Sequence, residues 1–317
     1  MSDKHEPSQI QPADADGIAV AAEILRGGGL VAVPTETVYG LAARADSAAA
    51  VAAIYRAKGR PDFNPLIVHV ASLEQAADLA RIDDRARALA AAFWPGALTM
   101  VLPLRDAARI APAVTAGLAT IALRCPAHPA MRAVLTHSGL ALAAPSANRS
   151  GGISPTRAEH VVASLGAQIG LILDGGPCDA GIESTIVSLR EGSGGWQILR
   201  PGPISEAQIS AILGPKTDAV TSGKIEAPGQ LASHYAPGKP VRLGAISAAV
   251  DEYLIGFGAV EGDVSLSPTG DLAEAAARLY ACLHLAAAAP ALRIAVAPIP
   301  DAGIGAAIND RLARAAA

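Results

Sequence analysis

Cysteine is scarce in this chain of 317 residues, which contains only Cys125, Cys178 and Cys282. Their wide spacing provides neither a disulfide framework nor a cluster of metal ligands. Charged residues are also few, at 17%, whereas hydrophobic residues make up 51%, a balance that excludes disorder and favours a well-packed globular protein. No apolar run of membrane-spanning length is free of charges and turn residues, so a transmembrane helix is excluded.

The N-terminal segment lacks the apolar core of a signal peptide, so we expect residues 1–13 to be a short tail and the protein to be cytoplasmic, without a membrane partner. The net charge of −4 provides no general attraction to nucleic acid, and three phenylalanines offer few stacking platforms. Positive charge concentrates in one window, at Arg44, Arg56, Lys58 and Arg60. We predict a local basic patch there.

Two common phosphate-binding motifs are missing. The chain has no glycine-rich loop followed by Lys-Ser/Thr, and no GxGxxG that follows a strand and opens a helix. A nucleotide site would therefore be assembled from scattered side chains and backbone amides.

Helical and strand patterns alternate along the first two thirds of the chain. Some predicted strands are linked by helices and others directly, which favours an α/β domain with a twisted mixed sheet over residues 14–204. We predict helices at 18–26, 48–58, 73–92 (one or two), 129–137, 157–165 and 206–213, and strands at 30–33, 66–70, 97–104, 118–124, 140–144, 169–174, 184–189 and 196–200.

The composition changes after residue 204. Residues 205–239 begin with a short helix and continue as a Gly-, Pro- and Ser-rich stretch longer than an ordinary connection, which predicts a linker or a functional lid. A second alternation then predicts a small Rossmann-like α/β domain over 240–317. We predict a strand from Val241, a helix, strand 253–257, helix 272–288, strand 292–296 and helix 303–316.

Polar groups are densest between positions 34 and 70, where hydroxyls, cations, an amide and a histidine lie among apolar runs. Burying such groups without partners costs several kcal/mol each, so they face either water or a polar ligand. Side chains alternate along a strand, so Thr120, Ala122 and Arg124 should share one face while Ala119, Ile121 and Leu123 point to the core. The same alternation turns His69 away from the core.

Each of these features also has an ordinary structural explanation. Lys58 follows a helix end and can simply complement the helix dipole, and Ser154 or Thr156 can cap the next helix. Arg200, at a strand end, can simply be a solvent-exposed side chain without a functional role. Taken together, however, they predict one concave polar surface, in which fixed cations and amides suit a triphosphate.

Seven segments, read in order, resemble the YrdC-type threonylcarbamoyl-AMP synthase family in its long two-domain form. They are PTETVYGL, AKGRPDFNPLIVHV, FWPGALTMVL, TAGLATIALRCPAHP, APSANRSGGISPT, GIESTIV and LRPGPIS, and the linker adds SHYAP. The resemblance spans nearly the whole chain and implies a YrdC-like domain followed by a smaller one.

The resemblance implies a nucleotidyltransferase that joins L-threonine, bicarbonate and ATP, the last with Mg²⁺, into L-threonylcarbamoyl-AMP and pyrophosphate. The product would pass to the machinery that modifies adenosine in tRNA, with weak or no direct tRNA binding by this chain. No covalent nucleophile and no protein-supplied metal ligand is implied, and Lys58 and His69 are the catalytic candidates. The implied threonine pocket comprises Thr37, His69, Arg124, Ala144 and Ser184, and the implied ATP site comprises Lys58, Arg60, Asn64, Thr120, Ser146, Ser154, Arg200 and Tyr235.

Three alternatives stay open at this point. The first is an RNA-binding module, which the net negative charge and the few aromatic residues disfavour. The second is another carbamoyl-adenylate transferase with a YrdC-like domain, although such chains carry further domains and cysteine pairs. The third is a regulatory or structural protein with a decayed site.

Overall fold

The computed structural model describes residues 9–61, 63–189, 195–216, 227–228 and 234–317. Most of the predicted N-terminal tail and much of the predicted linker at 205–239 lie outside these described residues. Within them the chain builds two sheets, one from residues before position 201 and one from residues after position 240.

The larger sheet has ten strands in the order β1-β8-β2-β3-β7-β4-β6-β5-β9-β10. Parallel and antiparallel pairs are interspersed, as the mixture of helix-linked and directly linked strands predicted. The strands are β1 (Gln9–Pro12), β2 (Val31–Val33), β3 (Gly40–Arg44), β4 (Ile67–His69), β5 (Leu98–Pro103), β6 (Thr120–Arg124), β7 (Leu142–Ala143), β8 (Leu171–Asp174), β9 (Thr185–Leu189) and β10 (Trp196–Arg200).

The helices of this domain begin at side-chain caps for the most part. Asp14, Ser47, Ser72 and Asp83 each accept a backbone N–H of the first turn, and Gly59 ends the second helix in the left-handed region. The helices are α1 (Ala15–Arg26), α2 (Ala48–Lys58), α3 (Leu73–Leu79), α4 (Asp84–Phe93), α5 (Pro112–Thr115), α6 (Pro129–Ser138), α7 (Ala158–Leu165) and α8 (Glu206–Leu213), with a 3₁₀ turn at Gly166–Gln168.

Strand β3 is absent from the sequence prediction although it lies in the middle of the sheet. Its sequence, GLAAR, contains a glycine and two alanines, which have low strand propensity, and no β-branched or aromatic residue. It becomes a strand because its backbone pairs with β2 on one side and with β7 on the other. Local residue preferences do not reveal this pairing. The edge strand β1 is missing from the prediction as well.

The smaller sheet has four parallel strands in the order β11-β14-β12-β13, as expected for a Rossmann-like arrangement. The prediction of a helix between its first two strands is wrong, because residues 244–251 form bends and turns. They begin at Gly244, whose φ of 69° lies in the left-handed region that favours glycine. The elements are β11 (Val241–Leu243), β12 (Glu252–Gly256), β13 (Val264–Ser265), α9 (Leu272–Ala288), β14 (Arg293–Val296) and α10 (Ile304–Ala315).

The two domains share buried contacts. The core of the smaller domain also includes Val38, Ile153 and Ile182 from the larger one. Gly181 lies against the backbone of α9, where an added Cβ would approach Ala277 Cα to 2.4 Å. Among the described helices, none has the length and apolar character needed to cross a membrane.

Candidate active site

The pocket forms where several strand ends meet. His69 and Arg124 end the parallel neighbours β4 and β6 and are paired in register. Ser184 directly precedes β9, and Arg200 ends β10, which is antiparallel to β9. The ends of β4, β6 and β10 and the start of β9 lie at one edge of the sheet, so their polar side chains converge although they are far apart in the sequence. Ala144 follows β7, and its N–H donates to the Ile67 carbonyl. It lies beside the other end of the short strand β4.

The resulting pocket encloses about 570 Å³, its open mouth included. All five predicted threonine-binding residues line it, as do four of the eight predicted for ATP. Its lining comprises Thr35, Thr37, Val38, Gly40, Arg60, Ile67, His69, Arg124, Ala144, Pro145, Ser146, Glu183, Ser184, Arg200, Pro228, His234 and Tyr235.

Arg124 is held from three sides at the base of the pocket. Its Nη1 donates to Thr37 Oγ1 at 2.8 Å, and its Nε donates to the Gly96 carbonyl at 3.2 Å. Its Nη2 lies 2.7 Å from Glu36 Oε1, an ion pair without the alignment of a hydrogen bond. Burial raises the pKa of Glu36, but the Arg124 guanidinium and the backbone N–H donors, of which Ala127 is one, together outweigh it. The net shift is downward, and the carboxylate stays ionised.

His69 is 3% exposed, and neither of its ring nitrogens has a hydrogen-bond partner in the described part of the chain. Burial, followed by the charge of Arg124, lowers its pKa to about 3. The imidazole is therefore neutral at physiological pH, with one donor and one acceptor facing the pocket. A buried polar group of this kind gains most from a ligand that satisfies it.

Ser184 lies between Thr99 and Arg200 in the wall of the pocket. Its Oγ lies 2.7 Å from Thr99 Oγ1. Arg200 donates to the Ser184 carbonyl through Nη2 at 2.9 Å and through Nε at 3.1 Å. The Arg200 guanidinium is thus fixed by the backbone beside a predicted threonine-binding residue.

Arg60 lines the pocket from the loop after α2. Its guanidinium donates to the carbonyls of Asn64 at 3.3 Å and Pro65 at 3.0 Å, so the stiff loop fixes its direction as the sequence suggested. Burial lowers its pKa to about 10, which leaves it charged. Asn64 does not line the pocket, although its buried Oδ1 has no partner among the described residues.

Lys58 is not part of the pocket lining. Its Nζ donates to the carbonyls of Ser146 and Asn148, both at 2.5 Å, from a side chain 3% exposed. Burial, and then Arg60, lowers its pKa well below the usual range. The predicted basic patch does not form, since Arg44 pairs with Asp46 elsewhere and Lys58 is buried.

Two further predicted ATP residues lie away from the pocket lining. Thr120 shares a face with Arg124 as predicted, but it begins β6, about 13 Å along the strand. Ala122 lies between them in an apolar cluster with Ile67 and Ala227, so the polar groups gather at one end of the face. Ala119 is exposed and not directed to the core.

Ser154 is fully buried, and its Oγ donates to Glu183 Oε1 at 2.6 Å. It does not cap α7. Thr156 does not cap it either, because the N-cap is Arg157 without a side-chain bond.

Glu36 and Glu183 are functional-site residues that the sequence reasoning did not select. Both lie inside segments that carry the family resemblance, PTETVYGL and GIESTIV, which was the available signal. Acidic residues are not expected beside anionic substrates. Each is instead matched to a buried arginine, Glu36 to Arg124 and Glu183 to Arg311.

Residues 234–236 close one side of the pocket. His234 N–H donates to the Arg314 carbonyl of α10, and Ala236 N–H donates to the Gly151 carbonyl of the larger domain. Tyr235 between them is 1% exposed and has φ 64°, a strained left-handed conformation. Its ring packs edge-on to His234 at 4.1 Å between centroids.

The described residues contain no group of three or more His, Cys, Asp or Glu side chains arranged to hold a metal ion. The two carboxylates at the pocket are already paired with arginines. The donor set therefore suits an anionic ligand, and a divalent ion would have to arrive on that ligand.

Two family models together match most of the chain. Residues 23–202 match the Sua5/YciO/YrdC family, described as telomere recombination, and residues 204–317 match the C-terminal domain of threonylcarbamoyl-AMP synthase. Curated relatives named threonylcarbamoyl-AMP synthase include one from Bacillus subtilis, 42% identical over 94% of this chain and 92% of its own length. Another, from Pyrococcus abyssi, is 44% identical over 71% of this chain and 66% of its own.

A solved structure of P. abyssi Sua5 in complex with L-threonine superimposes with a TM-score of 0.87 at 34% identity, covering 98% of this chain and 96% of that one. A variant of the same protein, in which a histidine and a tyrosine are replaced by alanine, gives the same TM-score at 33% identity. The chain therefore belongs to the two-domain threonylcarbamoyl-AMP synthase family.

Proposed function

We propose that this protein forms L-threonylcarbamoyl-AMP and pyrophosphate from L-threonine, bicarbonate and ATP, and so performs the first step of threonylcarbamoyl modification of tRNA adenosine. The observation that carries the proposal is one pocket lined by three arginines, the buried Arg124 and Arg200 and the partly buried Arg60, together with the uncharged His69. A cavity with this charge suits two anionic reactants side by side.

The reaction joins two anions, which repel each other in the absence of protein charges. The threonine amine, once its ammonium group has lost a proton to the solvent, adds to the carbon of dissolved carbon dioxide or bicarbonate and gives a carbamate. A proton is released in the first case and a water molecule leaves in the second. A carbamate oxygen then attacks the α-phosphorus of ATP, and pyrophosphate leaves. Fixed guanidinium groups neutralise the approaching charges without reorganisation, which is the largest contribution that the protein can make.

Arg124 is the group that we assign to the threonine carboxylate. A planar guanidinium can hold a carboxylate through two parallel hydrogen bonds, and Thr37 and Glu36 fix its plane. Ser184 and Ala144 line the same pocket. Threonine bound there places its amine beside His69.

His69 orients the threonine in this proposal. Its low pKa makes it a weak base, so it is better suited to a hydrogen bond with the substrate than to removing the ammonium proton. Its two unpartnered nitrogens support the same role.

ATP occupies the end of the pocket lined by Arg60, Ser146, Arg200 and Tyr235. Mg²⁺ bound to its phosphates would supply further charge neutralisation for the leaving pyrophosphate. Tyr235 and His234 exclude water from the acyl-adenylate, which hydrolyses readily. Asn64, Thr120 and Ser154 stay weaker candidates for ATP contacts, because they do not line the pocket.

The decisive experiment is incubation of the purified chain with ATP, Mg²⁺, L-threonine and ¹³C-bicarbonate. We expect pyrophosphate release and a threonine-dependent adenylate that carries the ¹³C label in mass spectrometry. The Arg60→Ala variant (R60A) should require more ATP, because it loses a fixed cation of the phosphate end. Pyrophosphate release that is independent of threonine would refute the proposal.

A further inference from the structure

A buried arginine of the second domain reaches the walls of the pocket. Arg311, on α10, is fully buried, and its guanidinium donates to Glu183, Pro201 and its neighbour Asp310. It also lies over the Tyr235 ring, 5.7 Å from the centroid. Glu183 and Pro201 belong to the larger domain. An arginine buried this completely costs several kcal/mol unless its hydrogen bonds are all satisfied, so its position is not incidental.

Arg311 connects two segments of the larger domain. Its Nη1 donates to the Pro201 carbonyl at 2.7 Å, its Nε donates to Glu183 Oε2 at 3.1 Å, and its Nη2 donates to the Glu183 carbonyl at 3.4 Å. The next residues inward are Ser184 and Arg200. Those two line the pocket and bond directly to each other.

The two segments are packed as closely as backbones allow. A Cβ added at Gly202 would lie 2.4 Å from the Thr185 nitrogen and 2.7 Å from the Glu183 carbonyl oxygen. A small shift of either segment is therefore transmitted to the other.

Glu183 is held from both domains. Its Oε1 accepts from Ser154 of the larger domain at 2.6 Å, and its Oε2 accepts from Tyr280 of α9 at 2.8 Å. Burial raises its pKa, but the charges of Arg311 and Arg200 outweigh this and lower it to about 2. The carboxylate is therefore ionised and forms an ion pair with Arg311. Because Glu183 is paired in this way, the Arg200 charge can act on a ligand.

We propose that Arg311 is a positioning residue of the active site: by joining Glu183 to Pro201 it fixes Ser184 against Arg200, and Tyr280 supports it through Glu183. The second domain is then a structural component of the pocket. The proposal rests on the function proposed above, in which Ser184 lies at the threonine end and Arg200 at the ATP end.

Without Arg311, Glu183 loses its main counter-charge and is drawn toward the nearby Arg200. That competition weakens the grip of Arg200 on phosphate oxygens, and the loosened segments displace Ser184. Since neither effect removes a group that touches the reacting atoms, we expect the KM values to change more than kcat.

The test is steady-state pyrophosphate release by the full-length Arg311→Met (R311M) and Arg311→Lys (R311K) variants. We expect R311M to raise the KM values for ATP and threonine by about tenfold each with a smaller change in kcat, the pattern of lost binding interactions. R311K should recover part of the loss, because it restores the charge without the fork of hydrogen bonds. Arg242→Met (R242M) is the matched control, since it breaks an ion pair with Glu252 within the second domain.

Wild-type KM values in soluble R311M, or an equal effect of R242M, would overturn the proposal. If R311M does not fold, Tyr280→Phe (Y280F) removes only one hydroxyl donor to Glu183 and should still raise the ATP KM measurably; an unchanged KM there would also overturn it. A wild-type chain without threonine-dependent turnover would instead refute the proposed function, so the two failures are distinguishable.

Discussion

Glu36 and Arg124 form an ion pair at the base of the pocket, with 2.7 Å between Oε1 and Nη2 and side chains 14% and 5% exposed. The pair places a negative charge next to the guanidinium that we assign to the threonine carboxylate. Glu36 also accepts the Ala127 N–H, so it ties the loop before β3 to the segment after β6. The Glu36 carboxylate therefore sets the orientation of the Arg124 guanidinium and partly neutralises the positive charge at this point of the pocket.

Replacing Glu36 by alanine (E36A) should leave a buried guanidinium without its counter-charge. We expect the free energy of unfolding to fall by about 3 kcal/mol, as for other broken buried pairs. The threonine KM should also rise, because Arg124 loses one of the contacts that fix its plane. Denaturant unfolding and steady-state kinetics measure the two effects. Glu36→Gln (E36Q), which keeps an acceptor for Ala127, should lose less, and an E36A variant as stable as the wild type would contradict this account.

Lys58 should take up a proton when ATP binds. Burial and Arg60 lower its pKa in the ligand-free protein, and the phosphates of ATP raise it again if they bind nearby. At a pH between the two values, binding is accompanied by proton uptake. Calorimetric titration of ATP in two buffers of different ionisation enthalpy measures this uptake. Lys58→Met (K58M) should lose it, and equal uptake by both proteins would show that Lys58 only supports the Ser146 and Asn148 backbone.

Tyr235 should matter for adenylate formation more than for threonine binding. Its ring lines the part of the pocket that we assign to ATP, and it packs against Tyr280 at 5.5 Å between centroids. For Tyr235→Ala (Y235A) we expect nearly unchanged threonine affinity by calorimetry and about tenfold slower adenylate formation, because water reaches the intermediate. Tyr235→Phe (Y235F) keeps the ring and is the control. Normal turnover by Y235A would exclude a water-excluding role.

His160 should make the protein less stable in acid. Its ring stacks on His284 of the second domain at 3.9 Å between centroids, and burial, then the charges of His284 and Arg157, lowers its pKa to about 3. Between that value and about 6.5 the unfolded chain binds a proton that the folded protein does not, so the free energy of unfolding falls as the pH falls through this window. The buried His69 and His234 act in the same direction.

His160→Phe (H160F) keeps an aromatic ring against His284 and removes the titrating group. We expect the slope of unfolding free energy against pH, measured by urea unfolding between pH 4.5 and 7, to decrease by up to about 1.4 kcal/mol per pH unit. His137→Phe, at an exposed position, is the matched control. An identical slope for H160F and the wild type would contradict the burial of a neutral His160.

Much of the candidate site was predictable because strand parity and local motifs are properties of the sequence. Alternation placed Arg124 and His69 on the face away from the core, and the stiff loop after α2 predicted a fixed direction for Arg60. The role of Lys58 was not predictable in this way, because its partners are carbonyls at Ser146 and Asn148, some 90 residues away. Glu183 was missed for the same reason, since its counter-charge Arg311 comes from another domain.

The sequence by itself determined the two alternating α/β regions and the family to which the chain belongs, because these depend on periodicity and on local residue order. Only the tertiary structure decided that GLAAR is a central strand, that residues 244–251 are turns, and which cations remain available to a ligand. The physical reason is that hydrogen-bond partners and counter-charges act over a few ångströms in space. Folding alone brings Arg311 to Glu183 and buries Lys58 among carbonyls.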